Sequence, residues 1–208
     1  MISVCLPTRG MVFCEVEDAI EKIRKVHNIK VFRSWDKKIP DAQNFLVEQA
    51  LKENSTHIFF VEEDVVIPDN ALDKLLMLDA DIACIDYSVN GYSCVAKDKK
   101  TQEILWCGFG STLVKREVFD KLEKPYFRTD KTLRLNDWQW VNNSAKYGGQ
   151  DIWFCMTARE KGFKIQQVPG EVKHLMLIAL GEKEMNNGLH LIVQKPTITK
   201  YQIIEREY

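Results

Sequence analysis

The sequence contains no apolar run approaching the roughly 20 residues that a helix needs to cross a bilayer. It opens directly into Ile2-Ser3-Val4-Cys5-Leu6 with no basic leader, so a soluble, cytoplasmic protein is expected. Net charge is nearly absent as well: 29 Lys and Arg stand against 30 Asp and Glu, leaving −1. That balance gives no bulk electrostatic attraction to nucleic acid or to an anionic membrane, although a local basic patch stays open. The six cysteines, at 5, 14, 84, 94, 107 and 155, include no Cys-x-x-Cys pair, and several fall inside apolar strand or helix patterns. They read as reduced core residues, not as zinc ligands or a disulfide framework. No internal repeat, low-complexity tract or linker interrupts the 208 residues, of which 45% are apolar and 28% charged. Disordered and fibrous classes are thereby excluded, and one domain with one sizeable core is expected.

What is present is organised around residues 57–68, His-Ile-Phe-Phe-Val-Glu-Glu-Asp-Val-Val-Ile-Pro. An apolar run this rich in β-branched and aromatic residues reads as a strand buried on both faces. It stops abruptly on three carboxylates, and in α/β sheets ligands bind outside the carboxyl ends of the strands. If the extended geometry persists through the acids, Glu62 and Asp64 point one way and Glu63 the other. Two hard oxygen ligands so placed suit Mg²⁺ or Mn²⁺, which in turn suit a diphosphate. Three acids between a strand and a helix start also suit an ordinary solvated turn.

The surrounding pattern alternates. Strands are expected at 2–6, 29–32, 80–87 and 163–168. Helices carry the stripes Val16, Ala19, Ile20, Ile23, Val26, then Ala42, Phe45, Leu46, Ala50, then Ala71, Leu72, Leu75, Leu76, the last capped by Asp69. Repeated strand, helix, strand units predict an α/β fold with a mostly parallel sheet flanked by helices. Pro7-Thr8-Arg9-Gly10 forms the loop after strand one, and Gln43 and Asn44 fall in the first turn of the second helix. Tyr92 to Ala96 and Glu103 to Cys107 read as a hairpin, followed by Gly108 and Gly110, which permit close backbone approach to a ligand or a bulge. Val114, Val118, Phe119 and Leu122 then predict a short helix. Residues 123–149 are polar and aromatic without periodicity, and Trp138, Trp140 and Tyr147 there suit either a ligand-binding lid or simple anchoring of the loop. Gly148-Gly149-Gln150-Asp151 opens a helix running to about Lys161, which places Asp151 where the helix dipole favours a carboxylate. His174 follows the last strand of this series.

In their order and spacing, these motifs resemble those of the GT-A glycosyltransferases, family 2 in particular. The matched elements are strand one ending in Pro-Thr, Ala-Gln-Asn at a helix start, Phe-Val-Glu-Glu-Asp at a strand end, Gly-x-Gly, Gly-Gly-Gln-Asp opening a helix, and a late His. The resemblance spans roughly residues 2–175. It implies a single-domain GT-A (Rossmann-like) fold, with residues 1–175 as the nucleotide-sugar transferase core and 176–208 as a C-terminal extension packed on the same domain.

The resemblance also assigns roles. Asp64 inherits the last acid of the family's acidic motif, binding the Mn²⁺ or Mg²⁺ that clamps the nucleotide diphosphate, and His174 completes that metal site. Glu62 becomes a more distant partner of metal-bound water or ribose, with Glu in place of the family's Asp. Pro7, Thr8 and Arg9 hold the nucleotide; Asn44, Glu63 and Gly110 join the donor site, and Gln43 stands where the family has Arg. Asp151 is the catalytic base. The implied reaction moves a sugar from a nucleotide-diphosphate donor, a UDP-sugar, to a hydroxyl of a glycan, a protein or a modified nucleobase, with inversion. Leaving-group charge calls for a cation, and the attacking hydroxyl calls for a carboxylate free of it.

A sugar-phosphate nucleotidyltransferase is the alternative enzyme, but its Gly-rich basic loop is reduced in 7–13 to one glycine and one arginine. A nucleotide-sugar binding module without turnover has no need of Asp64, Asp151 and His174 together. Leu189 to Val193 and Ile198 to Ile204 read as strands of a tail that matches nothing in the family core; it would cap the fold, bind acceptor or form a homodimer contact. A basic groove near Lys195, Lys200 and Arg206 would favour a nucleobase acceptor.

Overall fold

In a computed structural model, residues 1–35, 37–178, 190–194 and 200–204 are described. The first half builds β1 (Ile2–Pro7), α1 (Cys14–Val26), β2 (Ile29–Ser34), α2 (Asp41–Lys52) and β3 (His57–Val61), with β1 parallel to both other strands. The apolar run of β3 is explained by burial on both sides. Ile58 and Phe60 enter one core cluster, Phe59 and Val61 the other, as the two-residue period of a strand requires.

The chain continues through β4 (Val65–Val66), α3 (Ala71–Met77), β5 (Ile82–Ile85), β6 (Ser88–Val89), β7 (Tyr92–Asp98), β8 (Ile104–Trp106), β9 (Ser111–Lys115) and α4 (Arg116–Lys121). It ends with the β10 (Lys131–Arg134) and β11 (Gln139–Asn142) hairpin, α5 (Gln150–Glu160), β12 (Ile165–Val168), β13 (Lys173–Ile178), β14 (His190–Gln194) and β15 (Lys200–Ile204). The main sheet has the order β12-β5-β9-β3-β1-β2, all parallel except β9, which runs antiparallel to both neighbours. The mostly parallel α/β sheet with flanking helices stands as expected. Among the described residues, no helix is long and apolar enough to cross a membrane.

Four local expectations are corrected. Val114 belongs to a strand, with Leu113 and Val114 feeding opposite cores; the slot between β3 and β5 overrides the helical spacing of Val114, Val118 and Phe119. The run from 57 is not continuous: it turns at Glu62-Glu63-Asp64, closed by Val65 N–H donating to Glu62 C=O at 3.1 Å, and β4 leaves to pair with β13. Asp69 does not cap α3, which starts after Asn70; it pairs instead with Lys22 Nζ at 2.9 Å. Within 123–149, which lacks sequence periodicity, β10 and β11 form a hairpin whose Trp140 packs on Trp153 of α5 at 4.7 Å, while Tyr147 stays 85% exposed.

The two faces of the sheet are covered differently. Val16, Ala19, Ile20 and Ile23 of α1 and Ala71, Leu72 and Leu75 of α3 fill one side. The other is aromatic: Phe60, Phe109, Phe119, Phe127 and Phe154 are all essentially buried. Each such side chain removed from water contributes about 1.5–3 kcal/mol. The stacked pair Phe127–Phe154 (4.9 Å, 12°) and the edge-on pair Phe109–Phe154 (5.0 Å, 76°) fix the start of α5 beneath the loop that follows β8. Of the tail, β14 pairs with β13 and β15 lies parallel to β7. Leu189, Lys195, Ile198 and Arg206, and the side chain of Lys200, lie outside the described residues.

Candidate active site at the carboxyl ends of β1 and β3

Where β1 and β3 end side by side, the loop after β1 closes onto the acidic turn. Glu63 is buried and turned back: its carboxylate accepts the backbone N–H of Arg9 at 2.7 Å and also the Arg9 Nε, and its carbonyl accepts Phe13 N–H at 3.1 Å. Thr8 spends its hydroxyl locally, donating to Met11 C=O at 2.9 Å and accepting Gly10 N–H at 3.0 Å. Pro7 is buried, and the Arg9 guanidinium, though it reaches Asp64 at 3.2 Å, keeps 78% of its side chain open to solvent. Glu63 thus ties the loop down, while Arg9 offers a cation beside Asp64.

His174 arrives from the far end of the sequence. β13 pairs antiparallel with β4, setting His174 opposite Val65, and Leu175 N–H donates to Asp64 C=O at 2.7 Å. Its Nε2 stands 3.6 Å from Asp64 Oδ2, and that carboxylate raises the proton affinity of the imidazole, against burial. Nδ1 is buried with no hydrogen-bond partner.

Tyr87 completes this side and carries no sequence signal of its own. Its buried ring lies 6.1 Å from that of His174; its hydroxyl donates to Glu62 Oε2 at 3.4 Å and accepts Gly110 N–H at 3.1 Å. The glycines at 108 and 110 are its trace. A Cβ at 110 would lie 2.8 Å from the Tyr87 ring and hydroxyl and 2.9 Å from Val65; one at 108 would lie 2.7 Å from the Tyr87 hydroxyl. The close approach that Gly110 permits is therefore that of a protein side chain.

Asp151 enters from the opposite wall. Gly148 (φ 71°) and Gly149 (φ 78°) are left-handed, a conformation that disfavours other residues, and they deliver the first turn of α5 to the site. Burial pushes the Asp151 carboxyl up to about 7, against hydrogen bonds from Gln43 and from the Phe109 backbone. Burial, with the charges of Asp151 and Asp64 adding to it, pushes Glu62 up to about 8. Gln43 reaches Asp151 across the sheet face, Nε2 to Oδ1 at 3.4 Å. Asn44 turns elsewhere: its amide donates to Phe127 C=O at 2.9 Å and accepts Phe127 N–H at 3.1 Å, clamping α2 to that loop.

The structure therefore brings Glu62, Asp64, Asp151 and His174 to one end of the sheet, with Arg9 beside them. It commits Glu63, Thr8, Asn44 and Gly110 to protein contacts. A separate hollow of ≈ 570 Å³, lined by Thr56, His57, Lys115 and Arg116 among others, lies at the amino end of β3, away from this chemistry. Among the described residues, no three His, Cys, Asp or Glu side chains gather so as to hold a metal ion by themselves. The donor set nevertheless suits a shared cation. One carboxylate oxygen and one imidazole nitrogen 3.6 Å apart are near the roughly 3 Å between adjacent ligands of a Mg²⁺ or Mn²⁺ ion. The remaining positions would fall to water and phosphate oxygens, as is usual for Mg²⁺.

No protein-family model and no curated protein matches the sequence. Among solved structures, the fold is shared with A197 from STIV, at a TM-score of 0.62 and 17% identity, covering 93% of this chain and 94% of that one. Lower overlaps are found with S. aureus TarS 1–349 in complex with UDP-GlcNAc (TM-score 0.43, 16% identity, 80% of this chain and 55% of that one). They extend to a glycosyltransferase involved in the glycosylation of the major capsid of PBCV-1 (TM-score 0.35, 11% identity, 60% and 69%). At these identities the likeness concerns the fold; the chemistry rests on the site.

Proposed function

We propose that the chain is a metal-dependent, inverting glycosyltransferase that moves a sugar from a nucleotide-diphosphate donor, UDP in the first instance, to a hydroxyl acceptor. The observation that carries this reading is the division of labour at one sheet end. Asp64 and His174 face each other, and Asp151 stands apart from them as a partly buried carboxyl hydrogen-bonded by Gln43 and the Phe109 backbone. Asp64 Oδ2 and His174 Nε2 would hold Mn²⁺ or Mg²⁺, with Arg9 adding positive charge for the phosphates. A cation held there stabilises the charge of the departing diphosphate by several kcal/mol as a Lewis acid. Asp151 takes the proton of the attacking hydroxyl, and a carboxyl titrating near 7 is matched to that work at neutral pH. Attack by that hydroxyl oxygen on the face opposite the departing diphosphate, as the anomeric C–O bond breaks, inverts the anomeric carbon. Glu62, held by Tyr87, keeps a second acid at the edge of the cation site.

Isothermal titration with UDP, with and without Mn²⁺, tests the reading. Mn²⁺-dependent binding that Asp64→Ala abolishes, together with UDP-sugar turnover lowered about 10²–10⁴-fold in Asp151→Asn, is the expected result. Absence of binding to UDP and to every other nucleoside diphosphate would sink it.

A further inference from the structure

One guanidinium at the site serves two carboxylates. Arg9 Nε donates to Glu63 Oε1, and Arg9 Nη2 donates to Asp64 Oδ2 at 3.2 Å. That second oxygen is also the one facing His174 Nε2 at 3.6 Å, so Arg9 and the imidazole converge on the oxygen assigned to the cation. A divalent ion arriving there meets a positive charge already seated on its ligand, and at such separations like charges repel strongly. The guanidinium is nevertheless placed to leave. Its side chain is 78% exposed, so its departure disturbs no packed core. Nor is Glu63 stranded by that departure, because the Arg9 backbone N–H donates to Glu63 Oε2 at 2.7 Å. The buried carboxylate keeps a donor, and the loop after β1 stays tied to the acidic turn.

We infer that Arg9 is a charge gate on the donor site: it occupies Asp64 in the nucleotide-free protein and yields that carboxylate to a cation when the diphosphate of the donor draws the guanidinium away. The exchange is chemically matched, since an arginine fork fits phosphate oxygens as well as it fits a carboxylate. Neither ligand completes it alone. A cation without a nucleotide finds Asp64 already neutralised by Arg9. A diphosphate without a cation takes the guanidinium and leaves Asp64 bare beside the phosphates. Each ligand must therefore tighten the other, and by the same factor, because coupling between two sites is reciprocal. The inference rests on the glycosyltransferase reading for the identity of the anion that moves Arg9.

The test is Mn²⁺ binding to the full chain, independent of turnover, with free Mn²⁺ counted by its electron paramagnetic resonance so that weak binding is measured too. Wild type is expected to bind Mn²⁺ about 100-fold more tightly with saturating UDP than without it. Arg9→Gln is expected to bind Mn²⁺ alone about 10-fold more tightly than wild type does, and UDP to add only about 10-fold, since no guanidinium remains to be drawn off. Arg9→Lys keeps the charge but not the fork that spans two carboxylates, so its affinity for Mn²⁺ alone should fall between those of wild type and Arg9→Gln. Three outcomes would overturn the gate and leave the donor reading standing: Arg9→Gln binding Mn²⁺ alone no better than wild type, UDP tightening Mn²⁺ by the same large factor in both, or Arg9→Lys matching wild type. Absence of any effect of UDP on Mn²⁺ binding in all three proteins would count against the donor reading, and the gate would fall with it.

Discussion

At the scale of single residues, the site is built as much by what is small as by what is charged. Tyr87 reaches Glu62 and His174 because residues 108 and 110 have no side chain. Gly110→Ala drives a methyl group to within 2.8 Å of the phenol and 2.9 Å of Val65, so it is expected to destabilise the fold by about 1–3 kcal/mol. Denaturant melts measure this, and pairing the change with Tyr87→Leu should restore part of the loss; additive losses would show that the phenol is not the obstacle. The same example marks what the sequence could convey. Glu62, Asp64, Asp151 and His174 are legible because acids at a strand end or a helix start, and a late histidine, are unusual in kind and position. Tyr87 ends a buried strand pattern and looks like any core aromatic, while Gln43 gains its meaning from a residue 108 positions away. Asn44 misleads for the same reason: a polar residue in a first turn gives no hint that both halves of its amide are spent on Phe127.

Elements fix where these residues stand, and the clamp between α2 and the Phe127 loop shows how. Asn44→Ala removes two hydrogen bonds to a buried loop and strands the Phe127 N–H and C=O, which should cost about 1–3 kcal/mol. Faster amide hydrogen exchange at Phe127 than in wild type checks the attribution; unchanged exchange there would assign the loss elsewhere. The parallel strands β1, β3 and β5 are readable in advance because each is a largely apolar run bounded by turn residues, whereas β2 and β12, Ile-Lys-Val-Phe-Arg-Ser and Ile-Gln-Gln-Val, are shorter apolar signals interrupted by polar residues. β9 is not readable, since Leu113, Val114, Val118 and Phe119 satisfy a helical period as well as a strand's, and only the gap between β3 and β5 decides. The β10–β11 hairpin is hidden by polarity: its residues are half-buried or exposed, so no apolar alternation announces it. At the acidic turn the alternation expected from extended geometry is not reached: the chain bends at Glu62-Glu63-Asp64, and the one guanidinium of Arg9 meets both the Glu63 and the Asp64 carboxylates.

For the whole molecule, joining the two ends of the chain at one site has a consequence in pH. β13 brings a histidine from residue 174 against acids at 62 and 64, and α5 brings a third carboxyl, so folding gathers groups that are far apart in the unfolded chain. Glu62 and Asp151 bind their protons more tightly folded, at about 8 and about 7, than at the ordinary 4.5 and 3.8. A raised folded value means stability that is full below the unfolded value and lost as pH rises through the folded one. His174, raised by Asp64, has the same sign above its ordinary 6.5. Acids lowered by exposed lysines and arginines, such as Glu48 beside Lys124 and Asp130 beside Arg128, act in the opposite sense below about pH 4, and weakly. The metal-free protein is therefore expected to melt highest near pH 4 and progressively lower towards pH 8, with the slope reduced in Glu62→Gln. A cation on Asp64 and His174 requires the imidazole neutral, so stabilisation by Mn²⁺ should grow over the same range. Thermal melts from pH 5 to 8 with and without Mn²⁺ thus predict two curves that diverge as pH rises. A metal-free curve that climbs with pH would mean that Glu62 and Asp151 are ionised and solvated, and an Mn²⁺ effect independent of pH would remove His174 from the cation site.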